Sequence, residues 1–150
     1  MDTFYYLAVH AHSGWRWVVL ILLLAAIVKT HLGWKGKKEF TPADKKLGLF
    51  AMIAFHIQFL GGLVLYFISP KVQFVDGMMG NSMLRFFGLE HLLMMAIAMA
   101  LITIGHTKSK KATDDVKKFK SQAIFYTIAL VLILVSIPWP FRALLGANWF

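Results

Sequence analysis

Residues 83–104 read MLRFFGLEHLLMMAIAMALITI, an apolar run that carries charge only near its beginning. A helix of about 20 mostly apolar residues is long enough to cross the hydrocarbon core of a membrane. Because lipid offers no hydrogen bonds to a bare backbone, such a segment must satisfy its own peptide groups as a helix. This stretch therefore predicts a membrane-spanning helix. Three similar runs surround it, at 4–28, 47–68 and 123–145.

The whole chain has the composition of a membrane protein. Of its 150 residues, 59% are hydrophobic and 15% are charged, whereas soluble domains average about 45–50% apolar and about 25% charged. We predict an all-α integral membrane bundle of four transmembrane helices, at about 4–33, 43–69, 82–106 and 117–146, that forms one domain over 1–150. The connections are too short to hold a soluble enzyme domain. The absence of cysteine excludes disulfides, thiol nucleophiles and iron–sulfur clusters.

Lysine is concentrated in two of the three connections. Twelve of the thirteen lysines lie between residues 29 and 46 or between 108 and 120, and the remaining one is Lys71. Basic loops stay on the cytoplasmic side of a bacterial inner membrane, so we expect both termini on the outer, periplasmic side. The formal charge of +9 then faces anionic lipid, and we expect no nucleic-acid partner.

Two of the six histidines are expected to lie deep in the bundle. Counting 1.5 Å per residue from the ends of the apolar runs puts His56 and His91 at nearly the same depth on adjacent helices. Such a pair of imidazoles suits one metal centre, most simply the iron of a b-type haem, so His56 and His91 are the predicted ligands. His12 is the next candidate, as a ligand or as a partner of a propionate or a quinol. The alternative for His56 and His91 is that their rings make structural hydrogen bonds to Gln58, Glu90 or a backbone carbonyl.

All three arginines lie in the outer half of the predicted bundle. Arg16, Arg85 and Arg142 are costly at membrane depth unless an anion pairs with them or they reach the headgroups. We predict that they bind haem propionates, a quinol-derived anion or Glu90, the one carboxylate within the four apolar runs. Glu90 is also a candidate to relay protons or to orient a ligand. The competing interpretation is that the arginines anchor helix ends at the headgroups.

Three features resemble small bacterial four-helix membrane proteins that are labelled cytochrome b-like. They are the motif HSGWRW at 12–17, the deep His56 followed by Gly61-Gly62, and Arg85 followed by Glu90-His91. The resemblance covers most of the chain and implies haem b and electron transfer to or from quinones. Related four-helix proteins also occur as membrane-anchor subunits whose partners carry the catalysis.

The predicted function is that of a b-type cytochrome-like subunit that passes electrons between quinol and a partner in the bacterial inner membrane. We expect an electron-transfer or accessory subunit rather than a complete enzyme, surrounded by lipid and bound to partner subunits or to further copies of the chain. The alternative is a non-catalytic membrane subunit or assembly factor, in which the buried histidines and arginines serve packing or partner binding.

A small transporter or a metal-handling protein is a third interpretation. Six of the eight methionines lie between residues 78 and 99, and thioether sulfur is a ligand that Cu(I) favours. Methionine also fills gaps in ordinary cores. The sequence lacks the internal repeats and interrupted helices that are typical of transporters, so we rank this interpretation last.

Overall fold

The computed structural model describes residues 3–145 and 149. These residues form four long helices: α1 (Thr3–Lys35), α2 (Pro42–Ile68), α3 (Ser82–Lys111) and α4 (Asp115–Ser136). Each helix is long and apolar enough to cross a membrane, and the described residues include no strand. The prediction of an all-α fold with four such helices is confirmed. Two short 3₁₀ turns, Met78–Gly80 and Ala143–Leu145, lie outside them.

Successive helices run antiparallel and pack as a ring, in which α1 and α3 each contact both α2 and α4. The pairing of α1 with α2 shows the direction: Tyr5 hydrogen-bonds Ser69 at one end, and Lys29 forms an ion pair with Asp44 near the other. We call the end that holds the connections at 36–41 and 112–114 the lysine-rich end. The opposite end, with the connection at 69–81, is the arginine end.

The boundaries of α2 and α4 follow from local chemistry. Thr41 and Asp44 form a capping box at the start of α2, in which the carboxylate of Asp44 accepts from the backbone N–H of Thr41 at 2.9 Å. Pro42 takes the first helical position, where no N–H is needed. Helix α4 ends at Ser136, ten residues before the predicted end at 146, which lies outside the described residues. Prolines at 138 and 140 cannot donate to continue the helix.

Small residues bring the helices into close contact. A Cβ atom added to Gly105 would lie 2.6 Å from the Cβ of Phe125, and one added to Gly48 would lie 2.5 Å from Oε1 of Gln122. Inside a membrane, such close approach supplies van der Waals contact where lipid and side chains are equally apolar. The buried alanines of the core are Ala26, Ala51, Ala54, Ala98, Ala123 and Ala129.

The outer surface of the bundle is apolar on all four helices. Ile21, Leu60, Leu93 and Val131 are each more than half exposed, and they belong to α1, α2, α3 and α4 respectively. Soluble monomers rarely expose so extensive an apolar surface. Together with the lengths of the helices, this surface indicates a multi-pass membrane protein.

Candidate functional site

A cavity of about 230 Å³ lies inside the bundle towards the arginine end. A smaller space of about 60 Å³ shares several of its walls. His12 from α1 and His91 from α3 line both spaces, and so do Arg16 and Met95. We call the two spaces together the histidine cavity. Its lining also includes Tyr5, Phe59, Gly62, Tyr66, Lys71 and Phe87.

An irregular turn of α3 sets the direction of the His91 side chain. Phe86–Glu90 form a π turn, in which the backbone N–H of His91 bonds to the carbonyl of Phe86, five residues earlier. One extra residue rotates the following helix by about 100° relative to an uninterrupted helix. The ring of Phe86 packs against the imidazole, with 5.5 Å between the ring centres. Such turns are frequent at functional sites.

The imidazole of His91 has one nitrogen occupied and one available. Its Nδ1 donates to the backbone carbonyl of Ser136 across the bundle, at 2.7 Å. That carbonyl is free because Ser136 is the last residue of α4, so no later N–H of the helix bonds to it. The carbonyl of Leu134 likewise accepts a hydrogen bond from a side chain, Nε1 of Trp139. A neutral imidazole that donates from Nδ1 keeps its lone pair on Nε2, which is how many metal-binding histidines are held.

His12 is held in place by Gln58. Nε2 of Gln58 donates to the backbone carbonyl of His12 at 3.0 Å and lies 3.2 Å from Nε2 of the His12 ring. Because an amide nitrogen only donates, His12 Nε2 accepts and the proton sits on Nδ1. That Nδ1 is buried and has no partner among the described residues. The ring packs on Gly62, where an added Cβ would lie 3.1 Å from Cε1 of His12.

Arg16 brings a positive charge to the wall of the cavity. Its side chain is 8% exposed, and Nη2 donates to the backbone carbonyl of Trp149 at 2.6 Å. The guanidinium also lies 5.5 Å from the ring centre of Trp17 and 5.6 Å from that of Trp139. Its Nε is buried without a partner in the described part of the chain. Arg16 is therefore both a packing residue and a donor with capacity left for an anion.

Lys71 is a second cation in this wall and was not among the predicted site residues. Its Nζ donates to the carbonyl of Leu145 at 3.3 Å and lies 5.0 Å from the ring centre of Phe87. Burial lowers the pKa of the ammonium, because the charged form has lost part of its water. An anion in the cavity would therefore be favoured. The position of Lys71 in the sequence could have marked it as a candidate, since every other lysine lies at the lysine-rich end.

Three predicted site residues lie outside the cavity, around a depression at the arginine end. Nε of Arg85 forms an ion pair with Oε1 of Glu90 at 2.6 Å, and Nη1 donates to the carbonyl of Met79 at 2.7 Å. The guanidinium of Arg142 lies 4.8 Å from the ring centre of Phe86. The predicted pairing of an arginine with Glu90 is present. Neither Arg85 nor Arg142 lines the histidine cavity.

The structure does not bring His56 and His91 together. Nε2 of His56 is 3.0 Å from Oγ1 of Thr103, which lies twelve residues after His91, about 18 Å along α3. The sequence predicted His56 and His91 at similar depth. They lie at different depths because the first turns of α3 extend past the end of α2. Tyr66, two residues before the end of α2, bonds to the carbonyl of Gly88, six residues into α3. Counting from residue 83 therefore placed His91 too deep relative to α2.

No family model, curated protein or solved structure matches the chain. The resemblance to cytochrome b-like proteins stays a prediction.

Proposed function

We propose that the protein is a membrane b-type cytochrome-like subunit, in which His12 of α1 and His91 of α3 hold one haem. The observation that carries this proposal is that two imidazoles from different helices line the same cavity. His91 has a lone pair available on Nε2, because its Nδ1 is bonded to Ser136. His12 thus takes the place that the sequence analysis gave to His56.

The donor set favours a haem over a bare metal ion. In residues 3–145 and 149, no three histidine, aspartate, glutamate or cysteine side chains come together. Two imidazoles alone leave most coordination positions of an ion empty, whereas a porphyrin would itself supply the other ligands of its iron, and His12 and His91 would complete the set. The apolar lining of the cavity, with Phe59, Leu65, Phe87 and Leu92, suits a flat hydrophobic macrocycle.

The charged groups also fit the two carboxylates of a haem. Arg16 and Lys71 line the cavity, and a guanidinium fork binds carboxylates with two parallel hydrogen bonds. The cavity of about 230 Å³ is smaller than the roughly 300 Å³ at which ligand pockets usually begin. The ring of His12 takes up the space beside Gly62. We therefore expect binding to break the contact between Gln58 and His12.

A bound haem supplies one-electron transfer, and the protein contributes its orientation and surroundings. Ser136 orients the ring of His91, and the cations at 16 and 71 hold the propionates. If the lysine-rich end is cytoplasmic, the cavity lies near the periplasmic face of a bacterial inner membrane. Quinol and a membrane-protein partner are then the proposed exchange partners.

A second candidate function is that of a non-catalytic membrane subunit or assembly factor. One observation favours it: each deep histidine already has a partner within the protein. His12 contacts Gln58, His56 contacts Thr103, and His91 contacts Ser136. Buried polar contacts of this kind average about 0.6 kcal/mol each in membrane proteins. These contacts would stabilise the packing of the helices without any cofactor.

The visible spectrum of the purified chain separates the two functions. The full chain is produced with ample haem, purified in detergent, and measured as a dithionite-reduced minus oxidised difference spectrum, with haem quantified as its pyridine complex. The cytochrome function predicts sharp α and Soret bands and about one haem per chain. A spectrum without haem bands would rule out the cytochrome function and favour the non-catalytic subunit.

A further inference from the structure

A second pocket lies at the lysine-rich end, far from the histidine cavity. Its volume is about 440 Å³, and it is formed where α2 begins, α3 ends and α4 begins. We call it the basic pocket. Its lining residues include Lys45 on α2, Ser109 and Lys110 on α3, and Lys118 and Gln122 on α4.

Two of the three lysines that line the basic pocket have no carboxylate partner in the described part of the chain. Lys45 and Lys110 reach it from two helices, and both lie close enough to His106 for their charges to act on that ring. No acidic residue is among the described lining residues. Asp115 pairs with Lys118, the third lysine of the pocket, at 2.7 Å, and Asp44 bonds Thr41 and pairs with Lys29. Neither Lys45 nor Lys110 has an ion-pair partner in the described structure.

Buried neutral groups in the same pocket are left with unused hydrogen-bonding capacity. The side chain of Gln122 is 1% exposed, and its Nε2 donates to Oγ of Ser109 at 3.2 Å. The hydroxyl hydrogen of Ser109 is then available as a donor. Oε1 of Gln122 and Nδ1 of the buried His106 have no partner among the described residues. Buried polar atoms without partners are uncommon, because each carries the cost of its lost water.

The donors and cations of the pocket match a phosphate group, and Oε1 of Gln122, an acceptor, takes no part. An oxyanion would accept from the hydroxyl of Ser109 and from an imidazole N–H of His106, and it would neutralise the ammonium groups of Lys45 and Lys110. Basic pockets between transmembrane helices are known places for the headgroups of anionic lipids. Beyond the pocket the same helices become apolar on the outside, with exposed Phe50, Ile104 and Ile124. Acyl chains attached to the phosphate would lie along that surface.

We propose that the basic pocket binds the phosphate of an anionic phospholipid. The proposal commits to lipid rather than to free phosphate because the pocket lies where the charged end of the bundle meets its apolar surface. It does not depend on haem, and the experiment below has no haem readout.

The test compares two double variants of the full chain that lose the same charge. In the first, Lys45→Gln and Lys110→Gln remove the two unneutralised ammonium groups of the pocket. In the control, Lys37→Gln and Lys38→Gln remove two exposed lysines of the 36–41 connection, which do not line the pocket. Each protein is placed in phosphatidylcholine nanodiscs that contain a minor share of phosphatidylglycerol. Bound phosphatidylglycerol is then measured by native mass spectrometry.

We expect the pocket variant to bind phosphatidylglycerol at least about tenfold more weakly than the unmodified chain, and the control to change by less than about twofold. Equal losses in both variants would overturn the proposal, because they would show that phosphatidylglycerol binding depends on the overall surface charge and not on the basic pocket. So would no loss in either variant. Displacement of the lipid by millimolar inorganic phosphate would overturn the commitment to lipid. If the double variant loses its helical circular dichroism, the single exposed Lys110→Gln change is tested in its place, with Lys38→Gln as control.

Discussion

At the scale of single residues, Gln58 and a ligand compete for the same atom of His12. Gln58 Nε2 lies 3.2 Å from His12 Nε2, while Oε1 of Gln58 is buried without a partner among the described residues. The amide therefore gains one contact with the ring and leaves another of its own atoms unsatisfied. Removing it should free Nε2 of His12 for an iron ligand and remove an unpartnered buried oxygen at the same time.

We accordingly expect Gln58→Leu to bind haem about threefold more tightly, the equivalent of one membrane hydrogen bond of about 0.6 kcal/mol. The measurement is haem affinity from transfer to apomyoglobin. Thr103→Val is the matched control, since it removes the corresponding contact of His56 and should leave haem affinity unchanged. A loss of haem in Gln58→Leu as complete as that in a His12 variant would contradict the competition.

The sequence allowed the candidate residues to be chosen but not their partners. Histidine and arginine stand out in apolar segments because they are costly there, and His12, Arg16 and His91 do line one cavity. The bond from His91 to Ser136 depends on a carbonyl left free where α4 ends and on the π turn before His91. The prolines at 138 and 140, which cannot continue the helix, are visible in the sequence. The π turn has no sequence signal of its own, because any apolar helix can accommodate one.

At the scale of the helices, the contacts between α3 and α4 depend on a glycine. A Cβ at Gly105 would lie 2.6 Å from the Cβ of Phe125 and 3.4 Å from the carbonyl of Ser121. The Cβ of Phe125 and the carbonyl of Ser121 are fixed to the helix and cannot move away by a change of rotamer, as the end of a flexible side chain can. The two helices would have to move apart, and the buried contacts beside them would loosen.

We expect Gly105→Ala to lower the free energy of unfolding by about 1–3 kcal/mol, as overpacking usually does. Gly14→Ala is the control, because nothing lies within 4 Å of the added Cβ there, and alanine is the better helix former. Unfolding in a titration of dodecyl sulfate, followed by circular dichroism, measures both. Equal stability of the two variants would contradict the close packing of α3 on α4.

The four helices could be predicted from the sequence, but their offsets along the bundle axis could not. Length and hydropathy select segments that must be helical in lipid, and Thr41-Pro42 marks the beginning of α2 within one residue of the predicted start. The axial offset between α2 and α3 depends on how far each helix extends past the apolar layer. Residues 82–87 of α3 are apolar apart from Ser82 and Arg85, so hydropathy alone did not reveal that they extend beyond α2.

At the scale of the whole molecule, charge divides the bundle into two different ends. Twelve lysines belong to one end, whereas Lys71 and the three arginines belong to the other. Such a division sets the orientation of helical membrane proteins. It also separates the two proposed sites, since the histidine cavity lies towards the arginine end and the basic pocket lies at the lysine-rich end.

This orientation predicts which connection is accessible from outside the cell. The chain contains no cysteine, so a single introduced cysteine is the only target for a membrane-impermeant maleimide. We expect Gln73→Cys, at an exposed position in the 69–81 connection, to be labelled in intact cells. Lys38→Cys, in the 36–41 connection, should be labelled only after the membrane is opened. The reverse pattern would contradict the proposed orientation.

Three single variants test whether His12 and His91 hold a haem. His12→Ala, His91→Ala and His56→Ala are purified beside the unmodified chain, and low-spin haem per chain is measured for each. We predict that the first two variants lose the low-spin spectrum and that His56→Ala keeps it, because His56 lies with Thr103 and lines neither part of the cavity. Loss of the spectrum in His56→Ala with full retention in His12→Ala would contradict the account.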